Sequence, residues 1–245
     1  MKNVKKLFLA VLTIGTVTLS GCLHILEEVT VKNNGSGTYK MTLDMSEMKS
    51  MMDMFKGMSQ DSTGEDSTDE IEMEDSGMGE MGSQLSAVAA SLKDISGLTN
   101  VTEINDTAAF KFGYAFDFAD VTALNKAMRI INKEKYDSNV DEVFRFSGKN
   151  FERLASGDLG EEIKKAMAEG EAQDEEGSMD MVKTFFSDMT YKQIYHFPDY
   201  RVKKSSNDLS EISNDGHTLT ITLKPFDEEQ QSKKMSVGTK IKLKN

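Results

Sequence analysis

Between residues 110 and 118 an aromatic ring stands at every second position: Phe110, Phe112, Tyr114, Phe116 and Phe118. A period of two places side chains on alternate faces of an extended chain, so all five rings fall on one face of a strand. A face that apolar must be covered, and the residues between the rings are small or polar. The chain therefore has to build a sheet with one buried side.

Other segments fit such a sheet. Residues 26–45 read as a hairpin: Leu26, Val29 and Val31 lead into Asn33-Asn34-Gly35-Ser36-Gly37, and Tyr39, Met41, Leu43 and Met45 alternate with polar residues. Short strands are expected at Val101–Ile104, at Val143–Phe146 and again near Phe151. Later ones are expected at Tyr191–Phe197, Leu209–Ser213, Thr218–Leu223 and Lys240–Lys244, with Asp215-Gly216 as a hairpin turn. Along the last strand Lys240, Lys242 and Lys244 form a solvated face.

Helical spacing appears at Met48, Met51, Met52 and Phe55, at Leu85–Ile95 with Gly97 as the stop, and at Leu124, Met128 and Ile131 behind a capping Asp120. It returns at Leu159–Met167 and Met181–Met189. No regular strand–helix–strand rhythm emerges. The expected class is α+β, a mainly antiparallel sheet with helices packed on one face. Two acidic loop insertions interrupt it, at about 59–83 and 169–180; the first holds nine acids and no Lys or Arg.

The amino terminus sets the compartment. Lys2, Lys5 and Lys6 precede the uncharged apolar run Leu7–Leu19, and small Ser20 and Gly21 precede Cys22. This is the layout of a secretory signal. As a helix, Leu7–Gly21 would reach roughly 22 Å, short of a bilayer core of roughly 30 Å, which argues against a permanent membrane span. Cys22 is the sole cysteine, so no intramolecular disulfide forms and an ordinary core must hold the fold. Removing 1–21 takes away three lysines and no acids, and shifts the net charge from −12 to −15. Such a surface is repelled by nucleic acid and by anionic lipid headgroups.

Leu19-Ser20-Gly21-Cys22 resembles the lipobox of bacterial lipoproteins. The resemblance implies cleavage between Gly21 and Cys22, diacylglycerol in thioether linkage on Cys22, and a lipid bilayer as partner. Residues 22–28 are then the lipidated anchor and a short tether, and 29–245 a single domain. Leu23 stands where an aspartate would suggest inner-membrane retention. By resemblance to that sorting pattern, the outer membrane is expected where the cell has one. The mature chain also resembles small bacterial lipoproteins in Gly35-Ser36-Gly37-Thr38-Tyr39, Val121-Thr122-Ala123-Leu124-Asn125 and Tyr195-His196-Phe197-Pro198. More distantly it is similar to the LppM-like lipoproteins, whose α/β domain is associated with lipid binding.

No catalytic motif or cofactor fingerprint is present. His24, His196 and His217 have no metal-ligand spacing, and Asp61–Glu65 does not follow the calcium-loop order. The expected function is therefore non-enzymatic: an envelope lipoprotein that binds an apolar or amphipathic ligand, or a partner protein, at the membrane surface. The candidate apolar wall is Met48, Met52, Phe55, Phe110, Phe112, Tyr114 and Phe116, although such faces most often form plain core. Two alternatives remain open. One is a structural or assembly lipoprotein without a pocket. The other is a thioether site for Cu(I) at Met45, Met48 and Met51.

Overall fold

The computed structural model describes residues 23–47, 49, 78–132, 142–154, 187–231 and 235–245. The signal segment, Gly21, Cys22, Met48, Met51, Met52, Phe55 and the second acidic stretch lie outside them. So do the expected helix at Leu159–Met167 and most of that at Met181–Met189.

The fold is α+β. Strands β1 (His24–Val31) and β2 (Gly37–Asp44) form the expected hairpin, paired from His24↔Asp44 to Val31↔Gly37. Its turn needs Gly35, whose φ of 81° is open to glycine but strained for other residues. At Gly37 a side chain would have its Cβ 1.7 Å from the Thr30 carbonyl oxygen, so only glycine lets the strands meet there. Helix α1 (Met78–Leu92) follows, then β3 (Leu98–Asp106), β4 (Lys111–Phe118), helix α2 (Val121–Ile131), and the short pair β5 (Phe144–Ser147) and β6 (Asn150–Arg153). Strands β7 (Thr190–His196), β8 (Arg201–Ser205), β9 (Ser210–Ile212) and β10 (Thr218–Leu223), a helical turn α3 (Glu228–Gln231) and β11 (Thr239–Lys244) complete the order.

Two sheets result. The larger has seven strands in the order β3-β4-β2-β1-β7-β10-β9, and the smaller has four in the order β5-β6-β11-β8. Every pairing is antiparallel except β1 with β7. The parallel pair forces a long crossover between the two strands. The chain uses it to build both helices and half of the smaller sheet.

The aromatic strand behaves as its alternation requires from Phe112 onward. Phe112, Tyr114, Phe116 and Phe118 are all buried. Tyr39 of β2 stacks on Phe116 at 5.1 Å between ring centres and on Tyr114 at 6.3 Å. The smaller sheet contributes Phe144 and Phe151, and Phe151 meets Phe144, Tyr195 and Phe197 at 5.7, 5.4 and 5.6 Å. Buried residues of both sheets and of α1 and α2 belong to one core cluster. Along β11 the three lysines point outward and Thr239, Ile241 and Leu243 inward, as expected.

Several boundaries differ from the sequence reading. Phe110 is not part of the strand: its φ is +54°, and its carbonyl accepts from the Met45 amide at 2.9 Å, just beyond the Asp44↔Lys111 pair of β2 and β4. Helix α1 begins at Met78 rather than Leu85, so part of the first acidic segment is helical. The helix lies beside the Phe112 ring, which a Cβ at Gly82 would meet at 3.7 Å, and it forms despite the poor helix propensity of glycine. Strand β8 has no sequence signal because only Val202 of its five residues is buried. Asp120 caps α2 as expected, its carboxylate accepting from the Ala123 amide at 2.8 Å.

Phe151→Ala would remove the ring that joins the two sheets. The expected cost is about 3–5 kcal/mol, read from the midpoint of urea unfolding.

Candidate functional site

The strongest polar feature lies between the sheets. Glu27 sits on β1, three residues after the strand begins, and is only 2% exposed. The alternation of β1 turns Glu27, Val29 and Val31 inward. Register sets Met41 of β2 on one side of Glu27 and Gln193 of β7 on the other. From the opposite sheet, Arg153 of β6 donates through Nη1 to both carboxylate oxygens. The Tyr191 hydroxyl donates to Oε2 as well. Arg153 also lies over the Phe144 ring, 5.4 Å from its centre.

Four phenols surround this pair. Burial, reinforced by the Glu27 charge, raises the pKa of Tyr39, Tyr114, Tyr191 and Tyr195; Arg153 opposes the shift at Tyr39, Tyr191 and Tyr195. For Arg153, burial works against the charge, but Glu27, Tyr191 and Tyr195 together outweigh it and raise the guanidinium pKa. Tyr114 turns its hydroxyl to the Met41 sulfur at 3.2 Å. Arg153 Nε, Gln193 Oε1 and the Tyr195 hydroxyl are buried without a hydrogen-bond partner among the described residues. Both carboxylate oxygens of Glu27 are occupied, so the group is arranged to fasten two sheets rather than to move protons.

A second polar fastening holds α2. Buried Asn125 accepts from the amides of Val143 and Phe144, each at 2.9 Å, and donates to the Phe144 carbonyl at 2.8 Å. Neither Glu27 nor Asn125 was singled out as functional in sequence. Glu27 falls in the stretch 22–28 expected to be tether, whereas β1 already begins at His24. A charged pair Glu27-Glu28 reads as solvated until its partner, 126 residues away, is known.

Of the expected apolar wall, Phe112, Tyr114 and Phe116 stand together inside β4, with Tyr114 and Phe116 covered by Tyr39. Phe110 and Phe112 form a small separate cluster with Met45, bordered by Leu23, Leu43 and Leu85. Met48, Met52 and Phe55 lie outside the described residues, as do Met48 and Met51 of the expected copper site. Met45 itself is buried among these rings. The histidines are apart and separately engaged: His24 with Thr190 at 2.8 Å, His196 with Thr218 at 3.1 Å, and His217 with the Phe197 carbonyl at 2.9 Å. Among the described residues no group of three or more His, Cys, Asp or Glu is placed to hold a metal ion. Nor is any helix there long and apolar enough to cross a membrane.

No protein-family model matches this chain, and no curated protein matches it in sequence. Among solved structures, it is similar to the folded domain of Mycobacterium tuberculosis LppM, determined by NMR. The alignment covers 91% of this chain and 89% of that one, at 12% identity and a TM-score of 0.36. At that level nothing about function passes from one protein to the other.

Glu27→Gln should strand a buried guanidinium and cost about 3–5 kcal/mol in urea unfolding. Replacing the pair together, Glu27→Leu with Arg153→Met, should cost clearly less than either single change. The tyrosines add a pH dependence. Their folded pKa values lie above the ordinary phenol value of 10.0, so the folded state holds its protons more tightly. Their contribution should be constant below pH 10 and fall as pH rises beyond it, read as a dropping melting temperature.

Proposed function

We propose that the chain is an exported, lipid-anchored envelope protein, non-enzymatic, whose domain engages a partner at the membrane surface. The observation that carries this reading is the continuity of anchor and fold. Lipobox-like Leu19–Cys22 runs through Leu23 directly into β1, the central strand of the larger sheet. Leu23 is held in place, its carbonyl accepting from the Thr190 amide at 3.1 Å. A domain so joined to acylated Cys22 stays at the bilayer without a basic patch, which agrees with its acidic surface. The non-enzymatic part is supported by Glu27, the one buried carboxylate among the described residues, which is committed to Arg153 and Tyr191.

An amphipathic ligand is the second reading. The small cluster of Met45, Phe110 and Phe112, separate from the main core, favours it because Leu23, next to the anchor, borders that cluster. A structural role without ligand is what remains if neither partner nor amphiphile binds.

Cells fed labelled fatty acid should incorporate label into the wild-type protein and none into Cys22→Ala, which should also leave the membrane fraction. Label at wild-type level in the variant would refute the lipoprotein reading. The ligand readings are separated by melting temperature of the delipidated domain, measured with a phospholipid micelle, with Cu(I) under reducing conditions, and with neither. A rise with the micelle supports the amphiphile by mass action, and a rise with Cu(I) supports the thioether site.

A further inference from the structure

We propose that the domain stands end-on against the bilayer, resting on the sheet edge made by His24, Asp44, Asp106, Lys111, Thr190 and Leu223. This rests on the reading of Cys22 as the lipidated residue.

The tether leaves little freedom. Cys22 adjoins Leu23, and Leu23 is bonded to Thr190 at the start of β7. Consecutive Cα atoms lie about 3.8 Å apart, so the thioether is held within roughly 10 Å of the first strand residue. Strands at this end finish at one level. Register pairs His24 with Asp44 and with Thr190, Asp44 with Lys111, Lys111 with Asp106, and Leu223 with Tyr191.

The anchor is also centred. Strand β1 is the middle one of seven, with β2, β4 and β3 on one side and β7, β10 and β9 on the other. At about 4.8 Å per strand, the edge extends roughly 14 Å on the β3 side of the attachment and roughly 10 Å on the β10 side, where β9 stops short at Ser210 opposite Ile221. Tilting in the plane of the sheet would drive one flank of strand ends into the lipid, so a centred anchor resists it both ways.

The edge carries both signs of charge, with His24 4.0 Å from Glu47. Lys111 neutralises Asp44 at 2.9 Å. The turn between β3 and β4 exposes Thr107 and Ala108, small and uncharged, at the same level. Its acid, Asp106, is exposed and accepts from the Ala109 amide at 2.8 Å. The other end of β1 lies about 26 Å away, eight residues along, at the exposed turn of Asn33 and Asn34.

The test uses the full lipidated protein in phosphatidylethanolamine/phosphatidylglycerol vesicles carrying a headgroup-attached nitroxide quencher. The Cys22 sulfur is occupied by its thioether, so a fluorophore attaches only to a new thiol at Ala108→Cys or Asn34→Cys. Emission at 108 should be largely lost and emission at 34 retained. Equal quenching at the two sites, or stronger quenching at 34, would overturn the proposal. A Gly/Ser spacer of about 12 residues between Cys22 and Leu23, reaching roughly 20 Å, should abolish the difference. A difference that survives the spacer would overturn the tether as its cause. Failure of the lipoprotein reading is distinguishable: the Cys22 peptide would then lack the acyl mass and the protein would not sediment with vesicles.

Discussion

The ion pair of Glu27 and Arg153 ties together parts of the chain that nothing else in the sequence brings into relation. Glu27 belongs to the first strand after the anchor, and Arg153 to the short pair of strands that opens the second sheet. A charge placed between two sheets is costly to desolvate, and only a partner that satisfies its oxygens makes it tolerable. Here Arg153 and Tyr191 supply that partner from two different strands. One stacking of the sheets meets the requirement, because a slip of one residue along β1 would turn Glu27 to solvent and leave Arg153 alone inside. The pair therefore acts on uniqueness of packing more than on net stability, which comes from the rings around it.

Strand β1 begins two residues after Cys22, and its fourth residue carries the buried carboxylate. A lipoprotein with a long flexible linker can change its presentation freely. With Cys22 as the proposed lipidated residue, the anchor would join the central strand of the larger sheet through Leu23 alone, so that bilayer and fold would share one frame of reference. The parallel pairing of β1 with β7 strengthens that frame, since it fixes Leu23 from the side opposite to the hairpin.

The aromatic stripe and the methionines have separate fates within the described residues. Tyr114 and Phe116 are closed over by Tyr39 and belong to the main core. Phe110, Phe112 and Met45 form their own cluster near the anchored end. One run of alternating rings thus serves two environments, and the change falls inside β4, between Phe112 and Tyr114.

Periodicity by itself determined the class of fold, the first hairpin, the buried face of β4, the cap of α2 at Asp120 and the outward lysines of β11. Each is a local consequence of side-chain alternation, turn chemistry or capping, written within a few consecutive residues. Edges and polar interior residues were different. Strand β8, with Val202 alone buried, carries no pattern, and Gly79 and Gly82 masked the first turns of a helix that packs beside Phe112. Glu27 and Asn125 read as ordinary polar residues, since burial of a polar group is decided by partners from elsewhere in the chain. Those partners, Arg153 for Glu27 and the Val143 and Phe144 backbone for Asn125, come close only when the sheets and α2 have packed. Local pattern therefore determined which residues face inward in the best-marked elements. Tertiary structure decided which charges could join them, because only a completed partner set offsets the cost of taking a charge out of water.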